Sequence, residues 1–196
     1  GVDDDAAAGP PRHVGRRGVS AAAPRPRVRR LDLTSYTCAE DFFEAVRDAS
    51  KERADILGTI ASMERREGVR AQGYEALGRS GGARDRMAAT DDRMDYERSR
   101  APLLAEDDAI IRLANSLIWG GDGGDLSGGV ASLAGERVAT AMEMRYVHRL
   151  PWAVAARRMG YSPRSGQIVA DLCRLGLDVV DSHRLMAVAR GEGDAT

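Results

Sequence analysis

Five side chains between residues 164 and 174 carry the chemistry needed to read a base pair. Arg164, Ser165, Gln167, Asp171 and Arg174 stay on the outward side of a helix starting at Pro163 once Val169 and Leu172 turn inward. Arginine and glutamine each offer paired hydrogen-bonding groups that match guanine and adenine edges in the major groove, and serine and aspartate can complement them. Arg145, Arg149, Arg157 and Arg158 come just before. Cations there can neutralise phosphates and fix register without reading sequence. From 145 to 174 six arginines face one acid, Asp171. The chain has 28 arginines and one lysine, Lys51, a preference that coding bias explains. Coding bias does not explain the scarcity of acids in this stretch. The partner these residues imply is double-stranded DNA.

The elements that must position these side chains are legible nearby. Leu133, Val138, Met142, Tyr146 and Val147 suit a helix of about four turns from Ser132. Pro151 interrupts it and is tolerated only at a helix start, which puts a short helix over Trp152 to Met159. Gly160 can take the left-handed conformation that stops a helix. Tyr161 follows, and then Ser162-Pro163, a favoured N-cap and first-turn pair. A short helix, a tight glycine turn and a capped second helix make a helix-turn-helix. Ala156 is small enough for the two helices to cross closely. Ala155, Met159, Tyr161, Val169 and Leu172 are the expected shared core, with Trp152 at its edge.

This segment resembles region four of bacterial sigma factors. It is also similar to a group of small phage and prophage proteins of unassigned function, whose C-terminal signature is R-Y-x-x-G-L-S-W-x-x-I-A-x-x-L-G-Y-S. Arg145, Tyr146, Leu150, Trp152, Ala156, Gly160, Tyr161 and Ser162 stand at the matching positions, and the likeness runs from about Ser132 to Leu177. The resemblance implies a sigma-like or late-gene transcription regulator in a bacterial host, with RNA polymerase as a possible partner. Arg149 replaces the signature glycine, Pro151 the serine and Ala155 the isoleucine. Gly166 stands where the second helix normally carries a buried apolar residue.

The N-terminal half reads as helical. Thr37 and Glu40 fit a capping box. Phe42, Val46, Ala49, Arg53, Ile56, Ile60 and Met63 then step by three and four, a seam that Arg53 breaks. This helix is expected to end near Arg66, before a glycine-bearing loop over 73–90. A second helix, broken or restarted at Pro102, carries Leu103, Ile110, Ala114 and Leu117, with Ile111 and Ile118 beside them. The two seams can pack within one chain or between the halves of a homodimer. Residues 85–108 are acidic, with eight acids against four arginines.

The expected organisation is therefore all-α. It comprises a basic arm over 1–34, disordered by composition; a helical hairpin or coiled-coil region over 35–119; a Gly-rich linker over 120–131; a helix-turn-helix domain over 132–190; and a disordered tail over 191–196. Catalysis is not expected. His13, His148 and His183 are isolated, Cys38 and Cys173 have no metal spacing, and Asp91-Asp92 and Asp107-Asp108 read as solvated helix faces or helix-start charges. No cofactor or metal is implied. No apolar run is long enough for a membrane span, and no signal peptide is visible, so a cytoplasmic setting is expected. Two rival functions share the same features: a phage DNA-packaging recognition subunit of the small-terminase kind, and a helical protein-interaction module without DNA binding.

Overall fold

The computed structural model describes residues 33–77, 83–121 and 128–189. Every regular element among them is helical. A 3₁₀ turn, Leu33–Ser35, precedes α1 (Ala39–Leu77) and α2 (Ala83–Trp119). Then come α3 (Val130–Ala134), α4 (Glu136–Met142), a π-helical segment (Glu143–Val147), α5 (Trp152–Arg158), a 3₁₀ turn (Pro163–Ser165), α6 (Gly166–Ser182) and α7 (Leu185–Ala189). Most of the basic arm, the middle of the Gly-rich segment and the C-terminal tail fall outside the described residues. No described helix is long and apolar enough to cross a membrane.

α1 is longer than its sequence pattern suggests, because Gly68 and Gly73 sit inside it. A helical glycine costs only about 1 kcal/mol, which the rest of so long a helix absorbs. The Thr37–Glu40 capping box does not form. The Thr37 hydroxyl donates to the Asp41 carboxylate instead, and with Cys38 it holds the Asp41 carboxyl below its usual range. The orphan amide of Ala39 donates to Asp181 Oδ1 at 2.8 Å. Asp181, near the end of α6, therefore caps α1 from 142 residues away. A cap of this kind contributes about 1 kcal/mol.

α2 runs unbroken through Pro102, against the expected restart. Proline removes one helical amide and crowds the preceding turn, but Pro102 is exposed, so water can reach the freed carbonyl. α2 is also tied to α1 on both sides of the proline. Arg93 Nε donates to Glu67 Oε1 at 3.0 Å, and Arg53 Nε donates to Asp108 Oδ1 at 2.6 Å. From Arg53 to Glu67 the partners on α2 run backward from Asp108 to Arg93, so the helices are antiparallel. An ion pair as exposed as Arg53–Asp108 adds at most about 1 kcal/mol; its effect is to set register and to absorb the charge that interrupts the α1 seam. Asp107-Asp108 is accordingly not a solvated pair, since Asp107 is buried and Asp108 is engaged.

The seams face each other within the chain. Phe42, Val46, Ala49 and Ile56 of α1 are buried, as are Ile110, Ala114, Leu117 and Ile118 of α2. Ile60 and Met63 are half-buried. The same core continues into the C-terminal helices through Val138, Met142, Tyr146, Val169, Cys173 and Val180. Phe43 makes the join: its ring centre lies 5.2 Å from those of both Phe42 and Tyr146. The chain on either side of the Gly-rich segment thus shares one core. The ends of that segment also meet, because a Cβ on Gly129 would lie 2.3 Å from the Gly120 nitrogen.

The expected four-turn helix from Ser132 is divided. Gly135 takes φ 93°, a left-handed value that ends α3, and α4 starts directly after it. α4 and α6 cross at Gly176. A Cβ there would lie 2.2 Å from Met142 Sδ and 3.0 Å from Val138 Cγ1, both fully or nearly fully buried. By contrast, a Cβ on Gly58 of α1 would meet nothing within 4 Å. Gly58→Ala should therefore stabilise the protein by about 0.5–1 kcal/mol through helix propensity. Gly176→Ala should destabilise it by about 1–3 kcal/mol through overpacking. Denaturant unfolding of the two variants checks the opposite signs, and a stabilised Gly176→Ala contradicts this packing.

Candidate nucleic-acid interface

The turn between α5 and α6 is built by backbone chemistry. α5 ends in a Schellman arrangement. Gly160 takes φ 82°, its amide donates to the Arg157 carbonyl at 3.1 Å, and the Tyr161 amide donates to the Ala156 carbonyl at 2.8 Å. These bonds satisfy two carbonyls that a helix end leaves open. Ser162 then caps the next turn, its hydroxyl accepting from the Arg164 amide at 3.4 Å, with Pro163 in the first helical position. The chain enters α6 through that short 3₁₀ turn.

Ala155, Ala156 and Val169 are buried between the helices. Met159, Tyr161, Leu172 and Trp152 are half-buried around them. Gly166 has a packing reason that its sequence position did not reveal. A Cβ there would lie 3.1 Å from Trp152 Cβ and 3.5 Å from the Trp152 carbonyl carbon. The missing side chain lets the start of α5 rest against the start of α6. The loss of about 1 kcal/mol in helix propensity is set against this close approach.

Outside this core, Arg164, Gln167, Asp171 and Arg174 are exposed and Ser165 is half-buried. Asp171 Oδ1 accepts from Gln167 Nε2 at 3.0 Å and from Arg174 Nη1 at 3.1 Å, so three of these five side chains form one linked row along α6. Ile168 and Leu175 lie in the same exposed stretch, 43% and 48% accessible; the sequence reading passed over both, although their seven-residue spacing marks a common face.

Arg157 and Arg158 are exposed at the end of α5. Arg145 is half-buried, with its guanidinium carbon 4.1 Å from the centre of the Trp152 ring. A cation over an aromatic face adds about 0.5–2 kcal/mol, so Arg145 also fastens the π segment to α5. His148 is exposed and lies 3.5 Å from Glu143 Oε1. Beneath the α6 row, burial pushes the Cys173 thiol up to about 12, and burial likewise raises Tyr146. Neither group is poised as a nucleophile or base near neutrality. Among the described residues, no group of three or more histidine, cysteine, aspartate or glutamate side chains could hold a metal ion.

Arg149 takes φ 57°, in the left-handed region. Glycine adopts that conformation without steric cost. An L-residue with a Cβ bears roughly 1–2 kcal/mol of strain in that region. Arg149→Gly should therefore raise unfolding free energy by about 1 kcal/mol, measured by denaturant titration; a loss of stability would mean that contacts of the arginine side chain outweigh the strain. Comparison with known protein families, with characterised proteins and with solved structures finds no match to this chain.

Proposed function

We propose that the chain is a DNA-binding transcription regulator of the phage or prophage sigma-like kind, reading duplex DNA with α6 in the major groove. The observation that carries this reading is the unit from α5 to α6. A short helix is closed by a left-handed glycine, a serine-capped 3₁₀ turn leads into α6, and Arg164 of that turn is exposed with Gln167, Asp171 and Arg174 of α6. On this reading Arg164, Ser165, Gln167, Asp171 and Arg174 face base edges. Arg145, Arg149, Arg157 and Arg158 face phosphates. DNA would have to draw Gln167 and Arg174 away from Asp171, whose bonds to them hold the row in place when no duplex is present. These bonds are exposed and individually weak, so that exchange costs little.

The hairpin of α1 and α2 is the proposed contact for RNA polymerase or a second copy. Leu57, near the middle of α1, and Met87 and Met94, in the first half of α2, are exposed. If the hairpin joins two copies, half-sites one helical turn apart, or a multiple of it, are expected.

A second reading, a protein-interaction module, is favoured by one observation. Ile168 and Leu175 expose apolar surface on the face that DNA would occupy. Salt dependence separates the two. Phosphate neutralisation makes affinity fall steeply with salt, by a log–log slope of about −0.9 per contact. The full chain should shift random duplex DNA in an electrophoretic assay at low salt and release it at moderate salt. Arg164→Ala/Arg174→Ala should weaken binding at least roughly tenfold, as expected for two lost charged contacts. No shift at low salt, or a shift insensitive to the double change, sinks the α6 reading and leaves the interaction module.

A further inference from the structure

A cleft of about 410 Å³ opens where the hairpin meets the π segment. α1 contributes Ser50 and Arg53, α2 contributes Asp108, Ile111 and Arg112, and the segment end contributes Val147 and His148. Three features of this cleft point to a ligand. The Ser50 residue is only 8% exposed, and its hydroxyl has no hydrogen-bond partner among the described residues. A buried hydroxyl left unpaired costs roughly 1–3 kcal/mol, and a ligand acceptor would recover that cost. Second, the charge in the cleft is unbalanced. Arg53 meets Asp108 through Nε at 2.6 Å, so the acid is neutralised, while Arg112 has no ion-pair partner among the described residues. His148 adds a further ring donor or acceptor at the rim. Third, Ile111 and Val147 give the cleft an apolar wall, and its volume lies within the range of small-molecule sites.

We infer that this cleft binds a small organic carboxylate, with its carboxylate on Arg112 and the Ser50 hydroxyl and its apolar body against Ile111 and Val147. A planar carboxylate suits the fork of a guanidinium, and the apolar wall favours a ligand with a hydrocarbon body over a bare anion. The site lies on the junction between the α1–α2 hairpin and the π segment that leads, through Arg149, into α5. The inference does not depend on whether α6 binds DNA.

The test is the thermal unfolding of the full chain at constant ionic strength with benzoate, acetate or inorganic phosphate replacing chloride. Benzoate should raise Tm saturably, since a ligand bound only by the native state stabilises it by mass action, and should do so at lower concentration than acetate or phosphate. Arg112→Gln, at an exposed position, should weaken benzoate roughly tenfold. Ser50→Ala should have two effects of opposite sign: a higher Tm without ligand, because an unpaired buried hydroxyl is gone, and a smaller rise with benzoate. No rise with benzoate, an equal rise in both variants, or tighter binding of phosphate than of benzoate overturns the inference.

Discussion

The close crossing of α4 and α6 at Gly176 governs where the rest of the C-terminal half can lie. With no side chain at that position, Met142 and Val138 settle directly on the α6 backbone. The π segment that continues α4 then carries Tyr146 against Phe43 of α1. At the far end of α6, Asp181 reaches the first amide of α1. α6 is therefore fixed at its middle by packing and near its end by a hydrogen bond. Its other long face, with Gln167, Asp171 and Arg174, is left to solvent, as is Arg164 in the turn before it. The inner face of α6 consists of Val169, Cys173, Gly176 and Val180, which leaves no room for the helix to rotate without exposing apolar surface or burying charge. For a helix proposed to enter a groove, that rigidity matters as much as the identity of its outward side chains.

A second constraint is the use of small residues at the closest backbone approaches of the C-terminal half. Gly166 admits Trp152, Ala155 and Ala156 line the α5–α6 contact, and Gly129 rests on Gly120. The chain is poor in aromatics, with two phenylalanines and two tryptophans, and close backbone approach is how such a chain fills its interior at native density. Its few large rings are concentrated at the joints. Phe42, Phe43 and Tyr146 join the hairpin to the C-terminal helices, and Trp152 sits under Arg145 where the π segment meets α5.

What could be read in advance was the local chemistry. Gly160 is left-handed and Ser162 caps the following turn because both outcomes depend on a few neighbouring residues and the allowed backbone conformations. The burial of Ala155, Ala156 and Val169 follows from helical spacing once the turn is placed. The all-helical character follows from composition and from the seams at Phe42 and Ile110. The features that escaped notice depend on which surfaces meet. Nothing near Thr37 announces that Asp181 will cap α1. Arg53 looked like a flaw in a seam until Asp108 was opposite it. Pro102 continues a helix that is held against α1 on both sides of it, which no local pattern announces. Gly166 read as a weakness because its neighbour, Trp152, is brought to it only by the turn. Arg149 shows the reverse case: its backbone is left-handed, which suits glycine, and nothing about an arginine at that position announces it.

The central claim is that the outward faces of α5 and α6 are where duplex DNA rests. Arginine-selective modification of the full chain, with and without random duplex DNA at low salt, tests it residue by residue when read by mass spectrometry. The account predicts that DNA shields Arg157, Arg158, Arg164 and Arg174, while Arg65 and Arg66, exposed on α1, react equally in both samples. Shielding confined to α1 and α2, or no difference at the four predicted arginines, would contradict it.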